Sequence, residues 1–506
     1  MVHYLRHTLI GHLTKLRLWA GNCRKGRISS IPRGGAKVNL TGRHLFALAA
    51  ISILMLSTGC SERDPTELQV ARARIDPMVF DEQYDPFNVL YGEDAYFQPF
   101  SGTDANSLKV DSLYASNGSL SIKVSVPPKG SALGVYAGGV LTAVESRDFT
   151  DFNALTFKAR TESLTDIVLD VVGFGNDNTG TSLYEAGRAN IPIGPEWTFV
   201  IIPIPAPSKL ISERGIFTFA EGFQEPHTLG YDIWFDEIQF AQLNNVTDPR
   251  PIMPSGNKQA FIGASVSLQG TRTAFNVDGA FVFVDHSANY FDFFSSDESV
   301  AVVSGSEVKL VGEGTATITG KLEDVDANGR IVLTGYLPPE SAATPPTHPA
   351  GEVISMFSDV YNDVNVDTWN TEWGGSTAQV QNFVVDGDNT MMYTGLNFVG
   401  IEFLNPMIDA SAMTHFNMDV YAPAGTNFKV KLVSFPPGLP NSVETADLIL
   451  DNASTPAFIM GDWSYLDIPM ADFQLPEGWS WAHVGQLVLS TSNAQLVLVD
   501  NVYWHK

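Results

Sequence analysis

The sequence predicts an all-β protein, and three observations make the case. β-branched and aromatic residues gather in short runs bounded by Gly, Asn, Asp and Pro, which is the punctuation of strands and turns. Gly and Pro are frequent, at 43 and 29 of 506 residues. Stretches of Ala, Leu, Glu and Lys at helical spacing are absent beyond the N-terminus. A chain of this length has room for roughly two to four domains, each with its own core.

The charge is unevenly placed. Residues 1–59 hold nine Lys or Arg and no acid, leaving 21 basic residues against 56 acidic ones, a formal charge of −35. A surface this negative repels nucleic acid and anionic polysaccharides, and suits neutral partners or cations. Arg43 and His44 precede LFALAAISILMLSTGC, an apolar run ending in small residues and Cys60. The run is shorter than the ~20 residues of a spanning helix. It resembles a bacterial lipoprotein signal, with Ser57 standing where Leu is usual. The resemblance implies cleavage before Cys60, lipidation of that cysteine and, with Ser61 behind it, sorting to the outer membrane. A short uncleaved anchor is the alternative. Residues 1–37 make an unusually long leader, and translation beginning near Val38 is an equally simple reading. Only Cys23 and Cys60 occur, so the remainder expects no disulfide and no thiol chemistry.

Along the chain, 60–76 is charged and reads as a tether. Strand-like runs begin at Met78. Composition shifts at NNVTDPRPIMPSGNK (244–258) and at LPPESAATPPTHPAGE (337–352), the second an extended, semi-rigid Pro/Thr linker. Three parts follow: 77–243, 256–336 and 353–506. The outer two share landmarks. EWTFVIIPIP (196–205) parallels DWSYLDIPMA (462–471), and FNALTFKART (152–161) parallels MTHFNMDVYA (413–422). Trp197 precedes Asp236 by 39 residues, and Trp463 precedes Asp500 by 37. Two jelly-roll-like β-sandwiches separated by a smaller Ig-like β-sandwich are therefore expected. The middle part, FDFFSSDESVAVVSGSEVKLVGEGTATITG (291–320), resembles bacterial Ig-like domains of the second group through Ser295, Ser296, Val300, Ala301 and Val303, then Gly312, Gly314, Thr315, Ala316 and Ile318.

Asp236 in GYDIWFDEIQF and Asp500 in QLVLVDNVYWHK each sit inside an apolar strand. An unpaired buried carboxylate costs several kcal/mol or more, so each needs a partner. Both modules also carry acids at their first strand, Asp81 and Asp359, and first and last strands commonly neighbour each other. Asp81 with Asp236, and Asp359 with Asp500, could bind Ca2+ through hard oxygen ligands. The arrangement resembles β-sandwich carbohydrate-binding modules, which often hold a structural calcium. Hydrogen bonds to backbone or hydroxyl groups are the alternative.

Aromatic residues supply the binding candidates, because a ring offers a flat platform to a sugar face. Trp197 and Trp463 recur at matched positions and read as scaffold. Trp369, Trp373, Trp479 and Trp481 occur only in the last module, in loop-like DTWNTEWGG and PEGWSWAH, with a local mini-core as the alternative. Tyr91, Tyr96 and Phe97 in LYGEDAYFQPF are the counterparts in the first. Catalytic groupings are scarce. The six His residues after Cys60 (227, 286, 348, 415, 483 and 505) include no His-Glu-x-x-His and no two at metal-ligand spacing. No Gly-x-Ser-x-Gly elbow or phosphate loop is present, and the one Glu-x-Asp-x-x-Glu spacing, at Glu62, Asp64 and Glu67, falls in the charged tether and in no strand-like run.

The last module, with ISMFSDVYNDVNVDTWNTEWG and LVDNVYWHK, resembles one appended to family 16 β-glucanases and to surface glycan-binding lipoproteins. The first, with YAGGVLTA and VVGFGNDNTG, resembles galactose-binding-type domains. Together these imply a non-catalytic lipoprotein that captures a neutral polysaccharide at the cell surface, β-1,3-glucan of the laminarin type being the expectation, beside glycan-degrading enzymes or a transporter. A glycoside hydrolase or lyase, and a structural adhesion protein, are the other classes the sequence leaves open.

Overall fold

The computed structural model describes residues 73–81, 94–438 and 441–506. Cys60 with its signal, most of the tether, and Tyr91 lie outside the described residues. All sheets are antiparallel apart from the pairing of Gly256–Phe261 with Ile331–Tyr336, and the helices among the described residues are single 3-10 turns.

The repeat read from Trp197 and Trp463 extends through a whole sheet. In the first module the front sheet runs Leu108–Asp111, Ser121–Val126, Tyr231–Ala241, Ala154–Thr161, Thr198–Pro203, with Met78–Phe80 also on Tyr231–Ala241. In the last it runs Gln379–Val385, Asp388–Thr394, Val497–His505, His415–Tyr421, Trp463–Pro469, with Val353–Phe357 on Val497–His505. First and last strands are thus neighbours in both. The back sheets also correspond. Ile167–Phe174, Glu213–Gly222 and Tyr136–Arg147 match Phe428–Ser434, Val484–Ser490 and Phe398–Glu402. Ala95–Pro99 on the edge of the first back sheet is matched by an isolated bridge from Thr368 to Glu402.

The middle module is a small sandwich, but it does not stand apart as the sequence suggested. Its hairpin Thr271–Val277/Ala280–His286 joins the first module's back sheet, where Asp285 and His286 pair with Gly187 and Ala186. One continuous apolar core runs from Val79 to Leu333. Tyr290 seals the junction, fully buried, its hydroxyl donating to Tyr184 O at 3.0 Å. The boundary at 244–258 is a change of composition and not of core.

The linker departs from expectation more sharply. Residues 337–349 are extended and end in a 3-10 turn at Ala350–Glu352, but the segment lies against the front sheet of the last module. Ala343 is buried there with Phe261, Val385, Met392, Tyr421, Trp463, Leu496 and Leu498. Trp463 Nε1 donates to Ser341 O at 2.9 Å, and Tyr361 donates to His348 O at 2.9 Å. Phe261 of the middle module stacks on Phe383 of the last, with centroids 5.3 Å apart. Hydrophobic burial outweighs the stiffness of the Pro-rich segment, because the outer face of this sheet is apolar and would otherwise meet water.

Trp463→Ala should cost ~3–5 kcal/mol of stability, as loss of a buried Trp does. Proteinase K should then cut faster within 337–352. Unchanged cleavage beside lost stability would confine Trp463 to the sandwich and refute its role in holding the linker.

Candidate functional site

Both acids of the last strands sit at β-bulges. Opposite Asp236 and opposite Asp500 the register slips, and the next residue, Glu237 or Asn501, has a positive φ of 51° or 46°. In each case the carboxylate accepts the N–H of that next residue at 2.7 Å. An extra residue with its amide turned aside needs an acceptor there, and an aspartate one step back supplies it.

Beyond this shared bond the modules diverge. Asp236 Oδ2 also accepts from Ser116 N at 2.6 Å and Asn117 N at 3.4 Å. Its cross-strand neighbour is Lys158, whose ammonium lies 2.9 Å from Glu237 Oε1. Backbone donors and an ammonium therefore already serve this corner, and the residues present do not fit a cation site. Phe80 and Phe357 are equivalent by register, so Asp81 matches Ser358, and the two first-strand acids, Asp81 and Asp359, stand one position apart in the two modules.

In the last module the position of Lys158 is taken by Asp419, and that of Glu237 by Asn501. Asn501 Nδ2 donates to Asp419 Oδ2 at 2.8 Å, and Ser358 donates to Asn501 Oδ1 at 2.9 Å. Asp500 is 1% exposed, and its Oδ2 is buried without a hydrogen-bond partner. Asp388 bridges from Asp500 to Asp359, which accepts from Asn389 Nδ2 at 3.0 Å. Burial, then the neighbouring carboxylates, push Asp500 up to about 8. Burial pushes Asp419 up to about 7 and raises Asp388 as well, while hydrogen bonds from Asn389 hold Asp359 below the usual range. A proton shared between Asp388 and Asp500, or a hard cation, would satisfy that buried oxygen. Asp359, Asp388, Asp419 and Asp500 are the candidate ligands for such a cation, although no three of them bring one oxygen each within 4.8 Å of one another.

The aromatic candidates separate. Trp369, Trp479 and Trp481 pack against the last module's core, Trp369 edge-on to Phe357 and Trp479 edge-on to Trp481. Trp373 is different. It is 37% exposed and lies over Gly400, where an added Cβ would sit 2.6 Å from its ring. Gly400 belongs to the outer face of the back sheet. Beside it in that face stand Val488 and Lys431, and in the next row Glu402 and Gln486, joined by a 2.5 Å hydrogen bond from Gln486 Nε2. Thr371 Oγ1, also over Gly400, is buried and unpartnered. A half-open indole edged by amide, carboxylate and ammonium is a platform with hydrogen-bonding groups around it.

Two clefts escaped sequence reasoning. The first module's back sheet carries a trough of about 370 Å³ whose floor includes Gly173, Gly187, Ala189 and Ala220, with Phe100 alongside. Tyr96 lies at that sheet's edge, 36% exposed, its hydroxyl accepting from Arg214 at 3.3 Å. A cleft of about 630 Å³ between the middle and last modules is lined by the amides of Asn257, Gln259, Gln379, Gln381 and Gln495. Spaced Gln residues on alternate strand positions were the available signal, but their partner strand lies in another module.

No family model and no curated protein matches this chain. Among solved structures it is similar to the family 30 carbohydrate-binding module of the cellulosomal cellulase Cel9D-Cel44B of Clostridium thermocellum, at 17% identity and TM-score 0.25, covering 30% of this chain and 97% of that one. It is also similar to the family 11 module of Lic26A-Cel5E from the same organism, at 16% identity and TM-score 0.21, covering 28% of this chain and 96% of that one. The tandem CBM22 domains of Paenibacillus barcinonensis Xyn10C match at 10% identity and TM-score 0.21, covering 87% of this chain and all of that one.

The raised carboxyls set a pH dependence. Between about pH 4, where an unfolded Asp releases its proton, and about pH 8, the folded protein keeps protons on Asp500 and Asp419 that the unfolded chain has lost. Their contribution to stability is therefore full at the acid end and declines as pH rises through this window. In chelator, the melting temperature of Asp500→Asn relative to wild type should rise from pH 5 to pH 8. Equal melting shifts at both pH values would show that Asp500 is not held protonated.

Proposed function

We propose that this chain is a non-catalytic glycan-binding lipoprotein that captures a neutral polysaccharide, β-1,3-glucan of the laminarin type, at the bacterial surface. The observation that carries the reading is Trp373, whose half-exposed ring rests on Gly400 beside the Glu402–Gln486 pair. A ring packed against a glycine in the free protein has less side-chain entropy left to lose on binding. The strongly negative surface supports a neutral ligand over an anionic one. Lipidation at Cys60, with outer-membrane anchoring, completes the reading and places the chain beside glycan-degrading enzymes or a transporter.

Affinity electrophoresis in laminarin gels tests it. Trp373→Ala should weaken binding by about 1–3 kcal/mol, roughly 5- to 150-fold in Kd, with melting unchanged. Trp479→Ala should lower stability, since its ring is packed in. Retarded migration with no release of reducing ends is the expected pattern for the wild type. Steady release abolished by one carboxylate change would make the protein an enzyme, and unretarded migration across neutral glucans would remove the glycan-binding reading.

Calcium belongs to the same proposal, in the last module alone. Excess Ca2+ should raise the melting temperature by mass action, more at pH 8 than at pH 5.5, because protons compete for the same oxygens. Asp500→Asn should lose this response and Asp236→Asn should keep it. A response that vanishes instead with Asp236→Asn would place the ion in the first module.

A further inference from the structure

The sequence shows no two His at metal-ligand spacing, yet the fold assembles a pair with a carboxylate. His415 and His505 stand directly opposite each other on neighbouring strands, with rings stacked 5.0 Å apart. Asp467, on the strand beyond His415, brings Oδ1 to 2.8 Å from His505 Nε2. One ligand atom from each of the three lies within 4.8 Å of the others. We propose that His415, His505 and Asp467 form a site for a borderline divalent transition-metal ion such as Zn2+, clasping three adjacent strands of the last module where the linker docks.

The hydrogen bonds around the rings favour this. His505 Nδ1 faces Lys506 O at 3.2 Å while Nε2 faces the Asp467 carboxylate. A neutral imidazole has one N–H and can serve one of these two acceptors, so the other face calls for a second proton or a metal. The Thr414 hydroxyl donates to His505 O at 3.4 Å, which leaves its oxygen to accept His415 Nδ1–H at 2.9 Å. With that arrangement of protons, the Nε2 lone pair of His415 is available to an ion. Ligating imidazoles characteristically have their other nitrogen engaged by a carbonyl or hydroxyl in this way. The 2.8 Å contact between His505 and Asp467 is a hydrogen bond, and it would open by roughly 0.5–0.8 Å to become an edge of a coordination tetrahedron with ~2.0–2.2 Å metal–ligand bonds. Asp467 is half exposed, so its carboxylate is free to adjust and solvent can supply the fourth ligand.

The donor set discriminates this site from the aspartate cluster. Two imidazoles and one carboxylate suit Zn2+, Co2+ or Ni2+, whereas Ca2+ prefers an all-oxygen shell. His348 of the linker stacks on His505 with centroids 3.8 Å apart, and its Nδ1 lies 3.2 Å from the Tyr503 hydroxyl. An ion on His505 Nε2 would lock the ring against which the linker packs.

The test uses the full chain, metal-free, with its thiols alkylated. One equivalent of Co2+ should produce the visible absorption of a four-coordinate ion, displaced by Zn2+ and not by excess Ca2+. His415→Ala and Asp467→Asn should each lower Zn2+ affinity at least about tenfold by calorimetry, while His483→Ala should not. Melting in chelator verifies that each variant is folded. A folded wild type without saturable Zn2+ binding, or equal affinity in the wild type and both ligand variants, would overturn the proposal.

Discussion

The architecture of both sandwiches depends on one inserted residue in the last strand, held by the carboxylate before it. Val497 and Val499 face the core of the last module, and so do Val502 and Trp504. The inward positions change from odd to even across Asp500 and Asn501. The first module does the same, with Ile233 and Phe235 inward, then Ile238 and Phe240. A regular strand cannot do this, because its faces alternate strictly. The bulge adds the residue that changes parity, and the bond from Asp500 Oδ1 or Asp236 Oδ1 to the next amide holds it. That strand is paired on both sides in each sheet, so its parity fixes which residues of the neighbouring strands face water.

The same constraint explains what the two modules were free to change. A carboxylate committed to a backbone amide has to stay, but the groups around it do not. In the first module Lys158 and Glu237 form an ion pair beside Asp236, whose own carboxylate is met by the backbone amides of Ser116, Asn117 and Glu237. In the last module Asp419 and Asn501 replace them, and the charge is left to protons or to a cation. Burial raises the carboxyls of Asp236, Asp419 and Asp500 alike, and in the last module the neighbouring acids push Asp500 further.

Much of this was legible in the sequence. The spacing of Trp197 to Asp236 and of Trp463 to Asp500 located the repeat, and alternation with turn residues located the strands. The acids stood out because they break apolar runs. What stayed hidden lies across registers. Trp373 resembled Trp369 in sequence, and only the bare Gly400 beneath it makes it a platform. His415, Asp467 and His505 are far apart in the chain and meet because the bulge sets the register of the last strand against its neighbours. The linker reads as a spacer by composition, since its Pro and Thr content carries no mark of the apolar face it covers. The middle hairpin likewise reads as Ig-like, and its merger with the first back sheet rests on two paired residues at its end.

If both sandwiches bind glycan, as the proposed reading allows, the docked linker changes what two such faces on one chain can do. Between freely tethered modules, effective concentration falls with linker length, and a polymer of any sufficient length can be engaged. Here Trp463 holds Ser341, Phe261 stacks on Phe383, and the middle module shares its core with the first. The trough of the first module and the Trp373 face of the last are then held at one separation. Little chain entropy remains to be lost when a single polymer reaches both, and a chain too short to span the gap gains nothing from the second face. In the proposed reading, preference for long glucan is set by the packing of the linker and not by its reach. Loosening that packing at Trp463 would blur the length preference while leaving each face able to bind.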